Sequence, residues 1–439
     1  VLASVAWLTL VALLSPLTGF LVEILLARNY GATPELDAYR IGQSLFMVGA
    51  SIMTAQLLPH IVIPGFQELR ARWGEREAWG GFLAILAILF AGETVVLCVT
   101  AAWPHAIGQL LAPGLSAEAR ETLPGFLIVQ AIAQASLVCC GAIGSVLTTY
   151  DIFVLGVLPN LLLNLGVLLL LVLFPQERIL PAIGIGLILG AALSLAAHLL
   201  AAARLCRRAG SATTGWPAPG FGLLRGLRLF RGVVVPLAAS MAAVHAGSLL
   251  VHHQLSLQAP GSLALYGYAF RLTALVHLPA ASFGNVVFPK LSEVLVREGK
   301  TAMTPLLRDA LGKTLLATVI PAGLLWPMRQ TLAELLFGRG ALTAADLDRI
   351  AAMFGWVLIG APTGALVALL QRSFAALRTG RVLVLSSVGS QAVLALALVL
   401  LAPSHREEGI ALAWSVAAWV QAGVLAVAWF GRGRAGVRP

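Results

Sequence analysis

Three ionisable side chains stand where apolar sequence offers them no water. They are Arg271 in YGYAFRLTALVHLPAASFGNVVFPKLSE, Glu93 in LFAGETVVL and Glu23 in GFLVEILLARNYG. A guanidinium in such surroundings suits a phosphate, which it grips through two parallel hydrogen bonds. A carboxyl in such surroundings suits a proton or a cation in transit. Arg271 is five residues into its stretch, so it either faces a polar cavity or snorkels outward from the near end. Glu23 has Arg271 and Arg28 as candidate partners across a cavity mouth, or is simply buried. Glu93 is either a functional acid or a neutral one bonded to a carbonyl of the next helix.

Softer polar groups accompany these three. His245 and His252 are seven apart and share a helical face, as do Asn160 and Asn164, and Gln130 and Gln134. Each pair either lines a cavity or holds helices together, at about 1 kcal/mol per hydrogen bond. Asp37 and Asp151 precede apolar runs and read as helix caps. No carboxylate neighbours the histidines in sequence, and no cysteine spacing suits a metal, so no metal or other cofactor is expected. Cys98, Cys139, Cys140 and Cys206 read as inert core residues. Phosphate-loop, HExxH, GxSxG and dinucleotide signatures are all missing, so the chain does not read as an enzyme.

The elements that must position these groups follow from composition. Of 439 residues, 59% are hydrophobic and 11% charged, against about a quarter charged in soluble domains. Apolar windows of membrane-crossing length recur, and only helices satisfy their own backbone in lipid. The expected fold is an all-α polytopic membrane protein. Twelve spans are read, near 4–26, 40–66, 80–103, 123–149, 152–174, 180–203, 230–252, 262–288, 311–333, 350–371, 381–402 and 408–430. The chain begins mid-pattern with VLASVAWLTL, so native residues are expected before it.

The net charge of +10 raises nucleic acid as a partner, but its distribution argues against that. Twenty of the Lys and Arg residues fall on even-numbered connections and eight on odd ones. That bias puts the even connections and both termini in the cytoplasm. The basic connection RLCRRAGSATTGWPAPGFGLLRGLRLFR divides the chain into residues 1–203, a linker at 204–229, and residues 230–439, two lobes of six helices each. Its second part, Gly220 to Arg231, is either an interfacial helix or a cytoplasmic extension of the seventh span. Residues 67–79 read as a small solvated helical hairpin, and Thr343 with Asp346 as a capping box opening the tenth span.

Four blocks carry a family likeness. LTGFLVEILLARNYGATPELDAYRI supplies Gly19, Phe20, Ala27, Arg28, Tyr30, Gly31, Asp37, Ala38 and Tyr39. VLTTYDIFVLGVLPNLLLNLG supplies a proline and an asparagine at the turn between the fourth and fifth spans. The stretch around Arg271 supplies Tyr268, Ala269, Leu272, Gly284, Pro289, Leu291 and Ser292, and LLFGRGALTAADLDRIAAMF precedes the tenth span. With these blocks the sequence resembles the MurJ/MviN lipid II flippases of the multidrug/oligosaccharidyl-lipid/polysaccharide exporter superfamily.

The likeness has departures. The family usually has fourteen spans, and its last pair, which helps form a groove for the lipid tail, has no counterpart among the twelve. Ser15-Pro16 stands for the family's Ser-Arg, Val22-Glu23 near its Arg-Asp, and Phe270-Arg271 for its Asp-Arg. The second span, FMVGASIMTAQLLPH, lacks the family's cavity arginines. Arg271 is the cavity cation retained.

The resemblance implies an alternating-access flippase in the bacterial cytoplasmic (inner) membrane, acting as a monomer among membrane lipids. Its substrate would be a polyprenyl-pyrophosphate-linked saccharide, most simply lipid II. Arg271 and Arg28 would meet the head group, while Glu23 and Glu93 would gate or couple to Na+ or H+. Asp37, Asn160, Asn164, His245 and His252 would line the cavity. Two other readings are an exporter of amphipathic cations, favoured by a net negative cavity, and a non-transporting scaffold for envelope-synthesis enzymes.

Overall fold

The computed structural model describes residues 2–51, 58–174, 179–208, 222–377 and 379–431. Every regular element among them is helical, and no strand occurs. In chain order they are α1 (Leu2–Tyr30), α2 (Pro34–Ser51), α3 (Leu58–Trp73), α4 (Glu75–Ala102), α5 (Pro104–Leu111) and α6 (Ala117–Thr148). A 3-10 turn (Val154–Gly156) leads to α7 (Leu158–Leu173), α8 (Ile179–Arg208) and α9 (Gly222–Ser256). Then come α10 (Ser262–Leu272), α11 (Ala274–Phe337), α12 (Ala344–Ala376) and α13 (Gly380–Phe430). Six helices among the described residues are long and apolar enough to cross a membrane, with mean hydropathy between 1.3 and 2.5 over their best windows. The chain is thus an all-α polytopic membrane protein. It divides into two compact units, residues 1–238 and 239–439, with the boundary inside α9.

Several boundaries differ from the sequence reading, each for a local reason. α2 begins at Pro34, whose fixed φ suits the first position of a helix. Thr33 therefore precedes the helix, and Asp37 lies inside its first turn rather than capping it. There the carboxylate still complements the helix dipole. Asp151 does not open α7 either: it takes a left-handed φ of 61° in a turn, and α7 starts at Leu158. The hairpin read at 67–79 is formed by the ends of α3 and α4, which meet at Gly74 (φ 86°). α9 runs unbroken from Gly222, so the described part of the Gly220 to Arg231 segment extends that helix. Gly220 and Phe221 lie outside the described residues. α5 was not anticipated from the apolar pattern.

In the first unit, α7 and α8 approach closely through glycines. A Cβ at Gly166 would lie 2.2 Å from the Gly186 carbonyl oxygen, and one at Gly190 would lie 2.4 Å from that of Leu162. Gly186 and Gly190 form the small-xxx-small spacing that lets helix backbones touch in lipid. A Cβ at Gly186 would lie 2.6 Å from the Val167 Cα, a backbone atom that cannot rotate away. Gly186→Val is therefore expected to lower stability by about 1–3 kcal/mol, read as a drop in melting temperature of the detergent-solubilised protein.

One end of this unit is tied by aromatic residues. Phe66 and Trp79 meet edge to face at 5.5 Å, and Tyr150 stacks on Trp79 at 6.2 Å. Arg70 pairs with Glu75 at 2.8 Å and lies over the Tyr150 ring at 4.9 Å, while the Tyr150 hydroxyl donates to Glu75. Burial, and then that bond, raises the Tyr150 phenol above its ordinary range, so it remains a donor. Ala202 and Cys206 of α8 join the same core. Of the four cysteines, Cys98 is exposed on α4, which departs from the core role expected for it; the other three are buried.

In the second unit, α11 carries a break at Gly299 (φ 84°) and α13 one at Arg406 (φ 49°). Lys300, just past the first break, lies over the Trp429 ring at 5.1 Å, and Phe374 meets Trp429 edge to face at 5.2 Å. Glu407, just past the second, receives Arg349 of α12, whose Nη2 also donates to Ser262 Oγ at 3.0 Å. The expected capping box is present: Thr343 N donates to Asp346 Oδ2 at 3.0 Å, and Asp346 N donates to Thr343 Oγ1 at 3.2 Å.

Candidate functional site

Arg271 stands in the last turn of α10, an eleven-residue helix bounded on both sides. Gly261 precedes it in a left-handed conformation (φ 86°), which glycine adopts without a Cβ penalty. At the other end stands Thr273, its hydroxyl donating to the Phe270 carbonyl at 2.6 Å, and α11 begins at Ala274. Thr273 keeps right-handed helical angles (φ −63°, ψ −19°), so the single span read at 262–288 is locally irregular two residues past the arginine and continues into α11. Aromatic contacts flank α10 on two sides: buried Tyr268 lies 5.3 Å from Phe337, and exposed Phe270 meets Trp414 edge to face at 5.2 Å. At the N-terminal end, Ser262 is tied to Arg349, and that pairing fixes the other end of this short helix.

Arg271 itself is half-buried. Among the described residues its enclosed Nε has no hydrogen-bond partner and the side chain forms no ion pair. Buried polar nitrogens are nearly always satisfied, which sets this one apart. The two other nitrogens of the fork carry the parallel donors that match a phosphate.

Glu23 pairs with neither Arg271 nor Arg28. Arg40 of α2 takes it in a bidentate ion pair: Nη1 donates to Oε1 at 2.9 Å and Nη2 donates to Oε2. Both residues are buried, Glu23 being 7% and Arg40 4% exposed. Arg40 also donates to Gln43 Oε1 at 3.1 Å, and Gln43 donates to the Tyr39 hydroxyl at 3.1 Å. Glu23 precedes Gly31 by eight residues and Arg40 follows it by nine, a spacing that by itself did not mark the two as partners. Arg28 is exposed at the end of α1.

Glu93 lies inside α4 and is buried, although most of that helix is exposed. It accepts a hydrogen bond of 2.8 Å from Gln134 Nε2 of α6, an amide rather than the backbone carbonyl expected. Asn164 donates to the Ser15 carbonyl at 3.1 Å and so joins α7 to α1, whereas Asn160 is exposed. His252 donates to the Ser248 carbonyl at 2.7 Å and meets Tyr266 edge to face. His245 is half-buried and Asp37 buried. No group of three or more His, Cys, Asp or Glu that could hold a metal occurs among the described residues. Sequence reasoning gave no partner to Arg40, Arg349 or Glu407, because each pairs with a residue on another helix.

The family profile described as "Lipid II flippase MurJ" matches residues 26–434. The chain belongs to that family. The MurJ family is one of transporters, and its members are multi-pass proteins of the bacterial inner membrane. A curated relative from Thermotoga maritima, described as a probable lipid II flippase MurJ, is 25% identical over 405 residues, covering 92% of this chain and 80% of the relative. Among solved structures, a lipid II flippase MurJ in an inward closed conformation superimposes with a TM-score of 0.81 at 18% identity, covering 96% of this chain and 87% of that one. An inward-facing multidrug resistance MATE family transporter superimposes at 0.77 with 12% identity, covering 95% and 94%. Agreement at these identities is one of fold. The fold is therefore shared between MurJ and MATE proteins, and membership rests on the profile match.

Proposed function

We propose that this chain is an alternating-access flippase moving a polyprenyl-pyrophosphate-linked saccharide, most simply lipid II, across the cytoplasmic membrane. Family membership over residues 26–434 is the observation that carries this reading. Arg271 is assigned to the phosphate, because its enclosed Nε lacks a partner among the described residues. Arg28, exposed at the end of α1, is assigned to drawing the head group in. Glu93 is assigned to coupling with H+ or Na+: a carboxyl with one amide donor retains acceptor capacity for an ion. The Glu23–Arg40 pair is assigned a gating role, and Asp37, Asn160, Asn164, His245 and His252 a place on the polar lining.

Twelve crossings by a monomer are assigned to this activity. α2 with α3 makes one crossing, and α10 with the first part of α11 makes another. α11 and α13 are then divided at Gly299 and Arg406. Contacts between connections support this alternation. Arg70, Glu75 and Tyr150 of the second and fourth connections meet, as do Ser262, Arg349 and Glu407 near the seventh, ninth and eleventh. The compact units 1–238 and 239–439 correspond, on this reading, to the two six-helix lobes, with both termini cytoplasmic.

Export of amphipathic cations would call on a carboxylate: Glu23 is taken by Arg40, and Glu93, bonded to Gln134, is the acid left for that reading. The deciding experiment reconstitutes the protein in liposomes and follows translocation of a fluorescent lipid II analogue against a lipophilic cation. Translocation of the lipid II analogue is expected. Transport of the cation alone would replace this reading with the exporter, and transport of neither by folded protein would favour a scaffold.

A further inference from the structure

The second unit carries an open apolar groove that the flippase reading does not use. Val319, Gly323 and Trp326 of α11 fall on one helical stripe, Ile359 and Pro362 of α12 face them, and Trp419 of α13 completes the wall. The space they enclose is about 390 Å³. The wall is fixed, because Trp419 Nε1 donates to the Ile359 carbonyl at 2.7 Å. A Cβ at Gly323 would meet nothing within 4 Å, so the open space begins at the helix backbone. Val319 is 43% exposed and Trp419 39% exposed. All three helices belong to membrane-length apolar spans, and among the described residues no charged side chain lines the groove.

A cation is held at one end. Arg329, one turn beyond Trp326, lies over the Trp326 ring at 5.4 Å and donates from Nη1 to the Trp326 carbonyl at 3.0 Å. Gly355 of α12 makes the room for it: a Cβ there would lie 3.1 Å from Arg329 Cδ. That bond uses one of five guanidinium donors. The neighbouring carboxylates of Glu334 and Asp348 are both engaged by Gln330, at 3.0 and 2.8 Å. Polar side chains therefore gather where the apolar stripe ends, as at a membrane interface.

We propose that this groove holds one acyl chain of an anionic phospholipid, with its phosphate on Arg329. An apolar groove in hydrocarbon does not stay empty, because its walls would lose dispersion contacts. The stripe from Val319 to Trp326 is about 10 Å long, a fraction of the roughly 30 Å hydrocarbon core, which matches part of one leaflet's chain. The volume is at the low end of small-molecule sites, about 300–1,000 Å³, and too small for a folded polyprenyl tail. The unused guanidinium donors of Arg329 at the mouth can take a head-group phosphate through charge-assisted hydrogen bonds. The inference is independent of which substrate is flipped.

Native mass spectrometry of the delipidated protein, titrated with phosphatidylglycerol or phosphatidylcholine of identical chains, tests it. Gly323→Leu puts a side chain into the groove from a Cβ that meets nothing within 4 Å, and Gly312→Leu, whose Cβ is equally free on α11, is the control. The wild type and the control are expected to hold one tightly bound phosphatidylglycerol, and Gly323→Leu to bind it about tenfold or more weakly. Arg329→Gln is expected to retain lipid but lose the preference for phosphatidylglycerol. Wild-type binding by Gly323→Leu, unchanged preference in Arg329→Gln, or displacement of phosphatidylglycerol by equimolar polyprenyl phosphate would each overturn the assignment.

Discussion

Arg271→Ala is expected to slow translocation of a lipid II analogue by about 10- to 100-fold while leaving thermal stability nearly unchanged. A hydrogen bond to a charged group contributes about 1.5–3 kcal/mol, and each 1.4 kcal/mol is a factor of ten. The native side chain makes no hydrogen bond or ion pair with a described residue, so its removal breaks none. Arg271→Lys is expected to fall between, since an ammonium keeps the charge but not the bidentate fork. Measuring flipping and melting temperature on the same preparations separates the two effects. Wild-type flipping by a stable Arg271→Ala protein would remove the arginine from the phosphate site.

The second large effect concerns stability. Arg40→Met and Glu23→Leu are each expected to destabilise the protein by about 3–5 kcal/mol, because each leaves an uncompensated buried charge. The double variant is expected to recover most of that loss, since a buried ion pair replaced by apolar groups of similar volume is often neutral. Melting curves of the four proteins in one detergent complete the cycle. Additive losses in the double variant would mean that the two residues act through separate contacts. The cycle also bears on gating: if the double variant is stable but flips slowly, the pair serves the transport cycle and not only the fold.

The class of the fold was legible in the sequence because lipid imposes it. With so few charges and so many apolar windows, the backbone has to satisfy itself in helices, and every described element is helical. The capping box at Thr343 and Asp346 was legible for the same local reason: its partners are three residues apart. Arg271 was legible as an arginine placed at cost within apolar sequence.

Pairings between helices were a different matter. Glu23 had several arginines within reach on paper, and only the tertiary structure chose Arg40 of α2. The irregularity at Thr273, the donor to Glu93 and the union of Ser262, Arg349 and Glu407 likewise depend on which helices pack together. Hydropathy and period fix what each segment is, because they act over a few neighbouring residues. They say nothing about which of many similar helices lies alongside, and so the sequence alone determined the membrane helices and the exposed cost of Arg271. Only the tertiary packing decided which charges are neutralised within the chain and that Arg271 has no ion pair among the described residues.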